Sequence, residues 1–355
     1  MYIESLELRQ FRCFETLSLS LTTPMTMITG SNGSGKTSII EAIYSLGKGK
    51  SFRAQKLDQL IQQDAQDFVV SVKLVDGQVA GMKKQKQQAP EFRLNREEST
   101  LATIATQLPM VEINPNVTDF FSVSPAQRRK ILFYYMFHVE QEFYAVWKKA
   151  NRVLVQRNAL LKKQTKRTVE LDYWTEQLIE AQNNIDQYIE KGFEQLKANY
   201  DQVLSAFNLN FIQPEDNLQL IYNNGYSAKN ENYDAVIQIQ YENDLKYGFT
   251  QSGFHRLDYR VTHNGKRIEQ FFSRGQLKQM GMLFILSMAQ GIFEIKGKCL
   301  LLIDEIAAEL DNKAQQNLFD FISKTPFQSL VTTITPIETN ELIKDQHYAL
   351  FHVEQ

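Results

Sequence analysis

The most informative stretch of this chain is Gly30-Ser31-Asn32-Gly33-Ser34-Gly35-Lys36-Thr37. It matches the phosphate-binding pattern G-x-x-x-x-G-K-[ST], in which glycines let successive backbone N–H groups point at a phosphate. An apolar strand pattern, Met25–Thr29, precedes it, and a helix pattern begins at Thr37. The positive end of that helix would face the same anion. The stretch therefore predicts a strand, a phosphate loop and a helix that together bind a nucleotide.

The side chains of the loop have predicted tasks of their own. Lys36 would supply a positive charge for the β- and γ-phosphates, and Thr37 would offer its hydroxyl to Mg²⁺. The other predicted nucleotide-binding residues are Gly30, Ser31, Asn32, Gly33, Ser34, Gly35 and Ser38. We therefore expect ATP and Mg²⁺ as the cofactors.

The second half of the predicted site lies nearer the C-terminus. The continuous apolar run Leu300–Ile303 is typical of a central parallel strand, and it ends in Asp304 and Glu305. Ligands of α/β sheets bind at the carboxyl ends of the strands. We predict that Asp304 holds the metal through its water shell and that Glu305 polarises the attacking water. With Lys36, this pattern indicates an ATPase.

Composition excludes some classes of protein. The chain has 355 residues, 43% of them hydrophobic and 23% charged, which is typical of a globular protein of about two domains. The net charge of −2 argues against a globally basic nucleic-acid coat but allows a local basic patch. Cys13 and Cys299 lie in apolar strand patterns, so we expect two buried free thiols. The N-terminus lacks a signal-peptide pattern, so we expect a cytoplasmic protein.

Two basic clusters are candidates for DNA contact. The first lies in a polar segment predicted between two strands and contains Lys83, Lys84 and Lys86. The second, which we call the helical tip, lies where two helices would join and contains Lys162, Lys163, Lys166 and Arg167. For both clusters a solvated tip without a nucleic-acid role is the alternative.

The order of these features resembles the ABC-type ATPase heads of the SMC group. It comprises the phosphate loop, a helical insert, a Ser-x-Gly-Gln loop, the aspartate-glutamate strand and a Leu-Asp turn. Within that group the chain is similar to the RecF family, on residues 6–14, 41–44, 49–53, 124–129, 253–258 and 273–278. The resemblance implies an α/β fold: an ABC-type P-loop ATPase head with mixed and parallel sheets and an inserted, mainly helical lobe. We expect the ATPase domain at 1–123 and 251–355 and the helical lobe at 124–250.

The resemblance also implies a site shared by two subunits. In this class ATP is held between two head-to-tail heads, so a signature loop of one subunit would contact the γ-phosphate bound to Lys36 of the other. The residues at the signature position are Ser273, Gly275 and Gln276. Asp311 stands at the position of the D-loop and would lie at the same seam.

Further expectations follow from the same resemblance. Arg12 and Arg53 would contact the base or the phosphates of the nucleotide, and the alternative is that both are ordinary surface arginines. Thr332 and Thr333 occupy the switch position, where many ABC proteins carry histidine. The implied function is a weak ATPase that dimerises with ATP on duplex DNA near single-strand gaps and helps to load recombinase with RecR-type partners. Two alternatives are the cytoplasmic ATPase subunit of a transporter and a phage-defence or nuclease-partner ATPase of the same superfamily.

Overall fold

The computed structural model of the protein describes residues 2–114, 121, 123–163, 166–207, 209–213, 215–226, 232–305, 310, 312–333 and 348–353. The chain forms two compact units. The first unit comprises Met1–Asp119, Gln202–Leu209 and Arg274–Gln355. The second comprises Phe120–Asp201 and Asn210–Ser273.

The described residues form fourteen strands and nine α-helices. The strands are Ile3–Phe11 (β1), Phe14–Ser20 (β2), Met25–Thr29 (β3), Asp67–Leu74 (β4), Val79–Gln85 (β5), Glu91–Leu94 (β6), Glu97–Ser99 (β7), Met110–Ile113 (β8), Leu218–Asn223 (β9), Asp258–His263 (β10), Lys266–Arg267 (β11), Leu300–Ile303 (β12), Gln328–Thr332 (β13) and Tyr348–His352 (β14). The helices are Lys36–Lys48 (α1), Leu101–Gln107 (α2), Pro125–Val139 (α3), Phe143–Leu161 (α4), Val169–Ala206 (α5), Tyr233–Ile239 (α6), Tyr241–Tyr247 (α7), Arg274–Lys296 (α8) and Asn312–Lys324 (α9).

Two sheets of the first unit enclose helix α1. One is antiparallel, with strand order β2-β1-β4-β5-β6-β7. The other is parallel, with strand order β14-β3-β13-β12-β8. Isoleucines of α1, including Ile39, Ile40 and Ile43, belong to one buried core with side chains of both sheets, such as Phe68 and Leu302. Burial of this apolar surface is the main force that holds the phosphate-loop helix in place.

The sequence pattern of the strands explains their positions. In β4, Phe68, Val70 and Val72 are buried and alternate with less buried residues, as expected for a sheet with one face on the core. All residues of β3 and β12 are buried, as expected for central parallel strands. The prediction of a central strand from the apolar run before Asp304 is confirmed.

The second unit combines helices with a small antiparallel sheet. It contains α3, α4, most of α5, α6 and α7, and the strand order of its sheet is β11-β10-β9. A buried arginine joins its helices, because Nη1 of Arg157 donates to Asp244 and to Thr250, each at 2.7 Å, and its Nε donates to Thr175 at 2.9 Å.

The insertion of this unit into the first was expected, but its second boundary follows Ser273 rather than residue 250. The reason is the pairing of β10 with β9, from Asp258 opposite Asn223 to His263 opposite Leu218. This pairing attaches the residues after 250 to the inserted unit. The parallel sheet, the two antiparallel sheets and the inserted helices agree with the predicted α/β fold class. Among the described residues, none of the helices has the length and apolar character needed to cross a membrane.

Candidate nucleotide-binding site

The phosphate loop joins the buried strand β3 to helix α1. At Gly35 the backbone has a φ of +108°, and a Cβ there would lie 2.6 Å from Sγ of Cys13. At Gly30 a Cβ would lie 2.5 Å from the carbonyl oxygen of Val353, which belongs to the backbone and cannot turn aside. The loop therefore requires glycine at both positions, because any larger residue would push the curled backbone away from its neighbours.

Lys36 lies within the curl of the loop. Its Nζ donates hydrogen bonds to the carbonyl oxygens of Gly30 and Ser31, both at 2.9 Å, and the residue is only 4% exposed. Ser31 and Asn32 are exposed at the tip of the loop, whereas Ser34 is buried. The ammonium therefore lies at the positive end of α1, where an anion gains from the side chain and from the helix dipole together.

Asp304 connects the loop to the parallel sheet. The register of β12 with β13 pairs Ile303 with Val331, which brings Thr332 beside Asp304. Oγ1 of Thr37 donates to Oδ1 of Asp304 at 2.9 Å, and Oγ1 of Thr332 donates to the same oxygen at 2.8 Å. Residues 37 and 304, which are far apart in the chain, thus meet as the sequence suggested.

The environment of Asp304 suits a divalent cation. Burial raises the pKa of this carboxyl group, and the hydroxyl donors Thr332 and Thr37 oppose the shift. A cation beside the carboxylate would favour its ionised form, because an opposite charge lowers the pKa of an acid. Carboxylate and hydroxyl oxygens are the ligands that Mg²⁺ prefers. Thr37 and Asp304 therefore fit a magnesium ion.

Glu305 has an unusual backbone conformation. Its φ is +51°, a left-handed value that costs a residue with a Cβ about 1 kcal/mol or more. Its backbone N–H donates to Oγ1 of Thr332 at 2.9 Å, and the residue is half-buried. Such conformations persist where the surrounding contacts fix them, often at functional sites.

A cleft of about 400 Å³ lies beside the loop. Its size is within the range of small-ligand sites. Predicted site residues from separate parts of the sequence line it, namely Arg12, Gly33, Gly35, Lys36, Thr37, Ser38 and Glu305. The structure thus brings the predicted phosphate-binding residues and the predicted water-polarising carboxylate into one cavity of the first unit.

Arg12 borders the cleft, but a buried carboxylate holds its guanidinium. Nε and Nη2 of Arg12 donate to the two oxygens of Glu41, at 2.9 and 3.1 Å, and Nη1 donates to the carbonyl of Gln59 at 3.3 Å. Glu41 is completely buried on α1 and also accepts a hydrogen bond from Ser51. Sequence reasoning missed Glu41, although an acid on the apolar face of a helix is a signal that a buried partner must exist.

Arg53 and Cys13 complete this wall of the cleft. The hydroxyl of Ser51 accepts hydrogen bonds from the backbone N–H groups of Arg53 and Ala54, at 2.9 and 2.6 Å, so the segment is fixed by the same carboxylate that holds Arg12. Cys13 is exposed, so the expectation that both thiols are buried is wrong for this residue; Cys299 is buried. Cys13 lies in the turn between β1 and β2, outside both strands, which explains its exposure.

The signature residues lie at the start of helix α8. Ser273 and Gly275 are exposed, and Gln276 is half-buried. The described residues that line the cleft include none of these three. The predicted D-loop residue, Asp311, lies outside the described residues.

The first basic cluster does not form an exposed tip. Lys83 and Lys84 lie in β5, and the turn begins only at Lys86, which is exposed. Lys84 is 5% exposed and forms an ion pair with Asp58, and Nζ of Lys83 lies 3.3 Å from Asp67. A contact with DNA phosphates needs an exposed ammonium group. The ammonium group of Lys84 is buried, so this residue does not meet the requirement for the predicted contact.

The helical tip is exposed where the structure describes it. Lys162 and Lys163 follow the end of α4, and Lys166 and Arg167 precede α5. Arg167 already interacts with two side chains of the protein. Its Nε donates to Asp172 at 2.7 Å, and its guanidinium lies 4.7 Å from the centre of the Tyr241 ring. All four residues of the helical tip are exposed.

Comparison with known proteins identifies the family of the chain. A family model described as the RecF/RecN/SMC N terminal domain matches residues 2–355. A protein of Vibrio campbellii named DNA replication and repair protein RecF is 33% identical over 361 residues, which covers 100% of this chain and 99% of that protein. The protein of the same name from Aliivibrio salmonicida is 31% identical over 361 residues, with coverages of 100% and 98%.

Solved structures agree on the fold. A structure described as the recombination mediator protein RecF-ATP in the RecFOR pathway has a TM-score of 0.81 at 24% identity, and the match covers 96% of this chain and 93% of that chain. A structure of the Smc head bound to the C-winged helix domain of ScpA has a TM-score of 0.56 at 19% identity, with coverages of 95% and 90%. The chain therefore belongs to the RecF family, within the wider group that also contains RecN and SMC proteins.

Proposed function

We propose that this protein is an ATP-dependent DNA-binding protein of recombinational repair with a weak ATPase activity. The observation that carries the proposal is the contact between Thr37 of the phosphate loop and Asp304, with Glu305 at the wall of the same cleft. The relatives that match the full chain are named for DNA replication and repair, which supports the biological role. Family membership also disfavours the alternative of a transporter subunit.

The cleft residues have distinct tasks in this proposal. Lys36 and the backbone N–H groups of the loop bind the β- and γ-phosphates of ATP. Thr37 and Asp304 hold Mg²⁺, which when bound neutralises phosphate charge. Glu305 accepts the proton of the attacking water, since a carboxylate at the wall of the cleft can act as a general base.

We extend the proposal to an ATP-driven homodimer. Ser273, Gly275 and Gln276 of one subunit would contact the γ-phosphate held by Lys36 of the other, and Asp311 would lie at the seam. Exposure of Ser273 and Gly275 supports this role, as does the absence of the signature residues from the described lining of the cleft. Donors brought by a second subunit would stabilise the charge that develops in the transition state.

The proposed dimer acts on DNA. It would bind duplex DNA next to single-strand gaps through the helical tip and Lys86, release it after hydrolysis, and assist recombinase loading with RecR-type partners. The solved RecF-ATP structure is described as belonging to the RecFOR pathway, which supports such partners for this chain. This activity would take place in the cytoplasm.

The test measures ATP turnover with and without short duplex DNA, in the absence of membranes. We expect measurable turnover that duplex DNA stimulates. Lys36→Ala should lose ATP binding, whereas Glu305→Gln should retain binding and lower kcat by about 10²–10⁴-fold, since its amide cannot take the proton. Wild-type turnover by Glu305→Gln would remove this residue from the mechanism. Turnover that never responds to DNA would favour the other ATPase classes.

Assembly is measured on the same variants by light scattering. We expect a monomer without nucleotide, a dimer with ATP, and a dimer trapped by Glu305→Gln because hydrolysis no longer dissolves it. One unchanged mass under all three conditions would contradict the shared site.

A further inference from the structure

Thr332 lies between the two acids of the site. It ends strand β13 and is completely buried. Its hydroxyl donates to Oδ1 of Asp304 at 2.8 Å and accepts the backbone N–H of Glu305 at 2.9 Å. One side chain thus contacts both the residue assigned to the metal and the residue assigned to the water.

The direction of these two hydrogen bonds is fixed by chemistry. The N–H of Glu305 can only donate, so the oxygen of Thr332 must accept there. The single hydroxyl hydrogen is then left for Asp304. Threonine is β-branched and stiff at χ1, which limits the hydroxyl to few directions. The backbone directly after Thr332 is also held in place, because the N–H of Thr333 donates to the carbonyl of Ile28 at 3.0 Å.

The two contacts act on different properties of the acids. The bond to Asp304, together with the bond from Thr37 to the same oxygen at 2.9 Å, fixes the orientation of the carboxylate. The bond from Glu305 holds a left-handed backbone, with φ of +51°, that a residue with a Cβ does not favour by itself. Because the direction of a side chain follows its backbone, this bond also fixes where the Glu305 carboxylate points.

We propose that Thr332 is a positioning residue for ATP hydrolysis, which acts through Asp304 and Glu305. The described lining of the cleft includes Thr37 and Glu305 but not Thr332, so its effect is exerted on the acids rather than on the nucleotide. This inference rests on the ATPase function proposed above. The experiment is therefore designed to distinguish failure of the ATPase function from failure of the positioning role of Thr332.

The test compares Thr332→Val, which keeps the shape and removes the hydroxyl, with Thr332→Ser, which keeps the hydroxyl. The control is Thr26→Val. Thr26 is a buried threonine of the same parallel sheet, 1% exposed, and its hydroxyl lies 3.3 Å from that of Thr23. The full-length protein is used, and kcat, KM for ATP and the midpoint of thermal unfolding are measured for each variant.

We expect Thr332→Val to lower kcat at least tenfold, about the effect of one hydrogen bond to a charged group, with KM changed less than threefold. Thr332→Ser should stay within about threefold of wild type, and Thr26→Val should keep wild-type kcat. Amide hydrogen exchange of the nucleotide-free protein gives an independent measurement. The N–H of Glu305 should exchange at least tenfold faster in Thr332→Val and at the wild-type rate in Thr332→Ser and Thr26→Val.

Each contrary outcome has a defined meaning. A Thr332→Val variant with wild-type kcat overturns the proposal, while wild-type turnover itself keeps the ATPase assignment intact. Equal losses in the Ser and Val variants also overturn it, because packing rather than the hydroxyl would then matter. If Thr332→Val does not fold, Thr332→Ser and Thr332→Ala carry the comparison. A wild-type protein that binds but never hydrolyses ATP overturns the ATPase function and this proposal with it.

Discussion

Glu41 offers the sharpest test of how the fold supports the cleft. Its carboxylate is completely buried and accepts two hydrogen bonds from Arg12, at 2.9 and 3.1 Å, and one from Ser51. Glu41→Gln keeps the size of the side chain but removes its charge. The amide nitrogen of glutamine can only donate a hydrogen bond. It would therefore face Arg12 or Ser51, which are donors themselves, and one hydrogen bond could not form.

The expected loss of stability follows from these contacts. Hydrogen bonds to charged groups contribute about 1.5–3 kcal/mol each, and breaking a buried ion pair costs about 3–5 kcal/mol. The side chain of Arg12 is 29% exposed, so water can replace part of what it loses. We therefore expect a loss of about 3 kcal/mol. At roughly 2–4 °C per kcal/mol, Tm of the first unit should fall by about 6–12 °C.

The assay is thermal unfolding monitored by hydrogen exchange of α1, so that the two units are observed separately. The matched control is Glu4→Gln, which removes an ion pair with Lys73 whose side chains are 42% and 47% exposed. An exposed pair contributes at most about 1 kcal/mol, so this control should hardly change Tm. Equal Tm values for the two variants would refute the reasoning, because the buried pair would then contribute no more than the exposed one.

Two further predictions concern the second unit. Neutralising the helical tip by four Gln substitutions should weaken duplex binding for all sequences and flatten its salt dependence, while ATP binding stays unchanged; unchanged DNA affinity in a filter-binding titration would assign the contact elsewhere. Burial raises the pKa of Asp186 to about 6, whereas the pKa of an aspartate in the unfolded chain is about 4. The protonated Asp186 therefore stabilises the fold at low pH, and this contribution is lost as the pH rises from about 4 to 6. Asp186→Asn should therefore raise Tm more at pH 7.5 than at pH 4.5, and an equal change at both would contradict this assignment.

Much of the site was predictable because its signals are local. Gly30, Gly35, Lys36 and Thr37 belong to one pattern whose spacing reflects the curl of a backbone around phosphate, and the structure shows that curl. The strand before Asp304 was predicted from four consecutive apolar residues, which are typical of a strand buried on both faces. Both signals depend only on neighbours in the sequence.

The contacts that were missed depend on register and on distant partners. Lys84 looks like part of a polar tip, but β5 continues to Gln85, and alternation along the strand turns this lysine inward to Asp58. Thr332 reaches Asp304 only because β13 pairs in parallel with β12 at one particular register. A shift by one residue would have pointed its hydroxyl to the other face of the sheet, and a single sequence does not state that register.

The two buried carboxylates near the cleft are held in different ways, and the difference agrees with the proposed chemistry. Glu41 is paired with the guanidinium of Arg12, so its charge is neutralised within the protein. Asp304 receives its two side-chain hydrogen bonds from neutral hydroxyl groups, those of Thr37 and Thr332. Hydroxyl groups can orient a carboxylate without cancelling its charge, whereas an arginine at this position would repel a metal ion. The pairing with Arg12 thus supports the fold at Glu41, whereas the hydroxyl contacts leave the charge of Asp304 uncancelled, as its proposed role toward a metal ion requires.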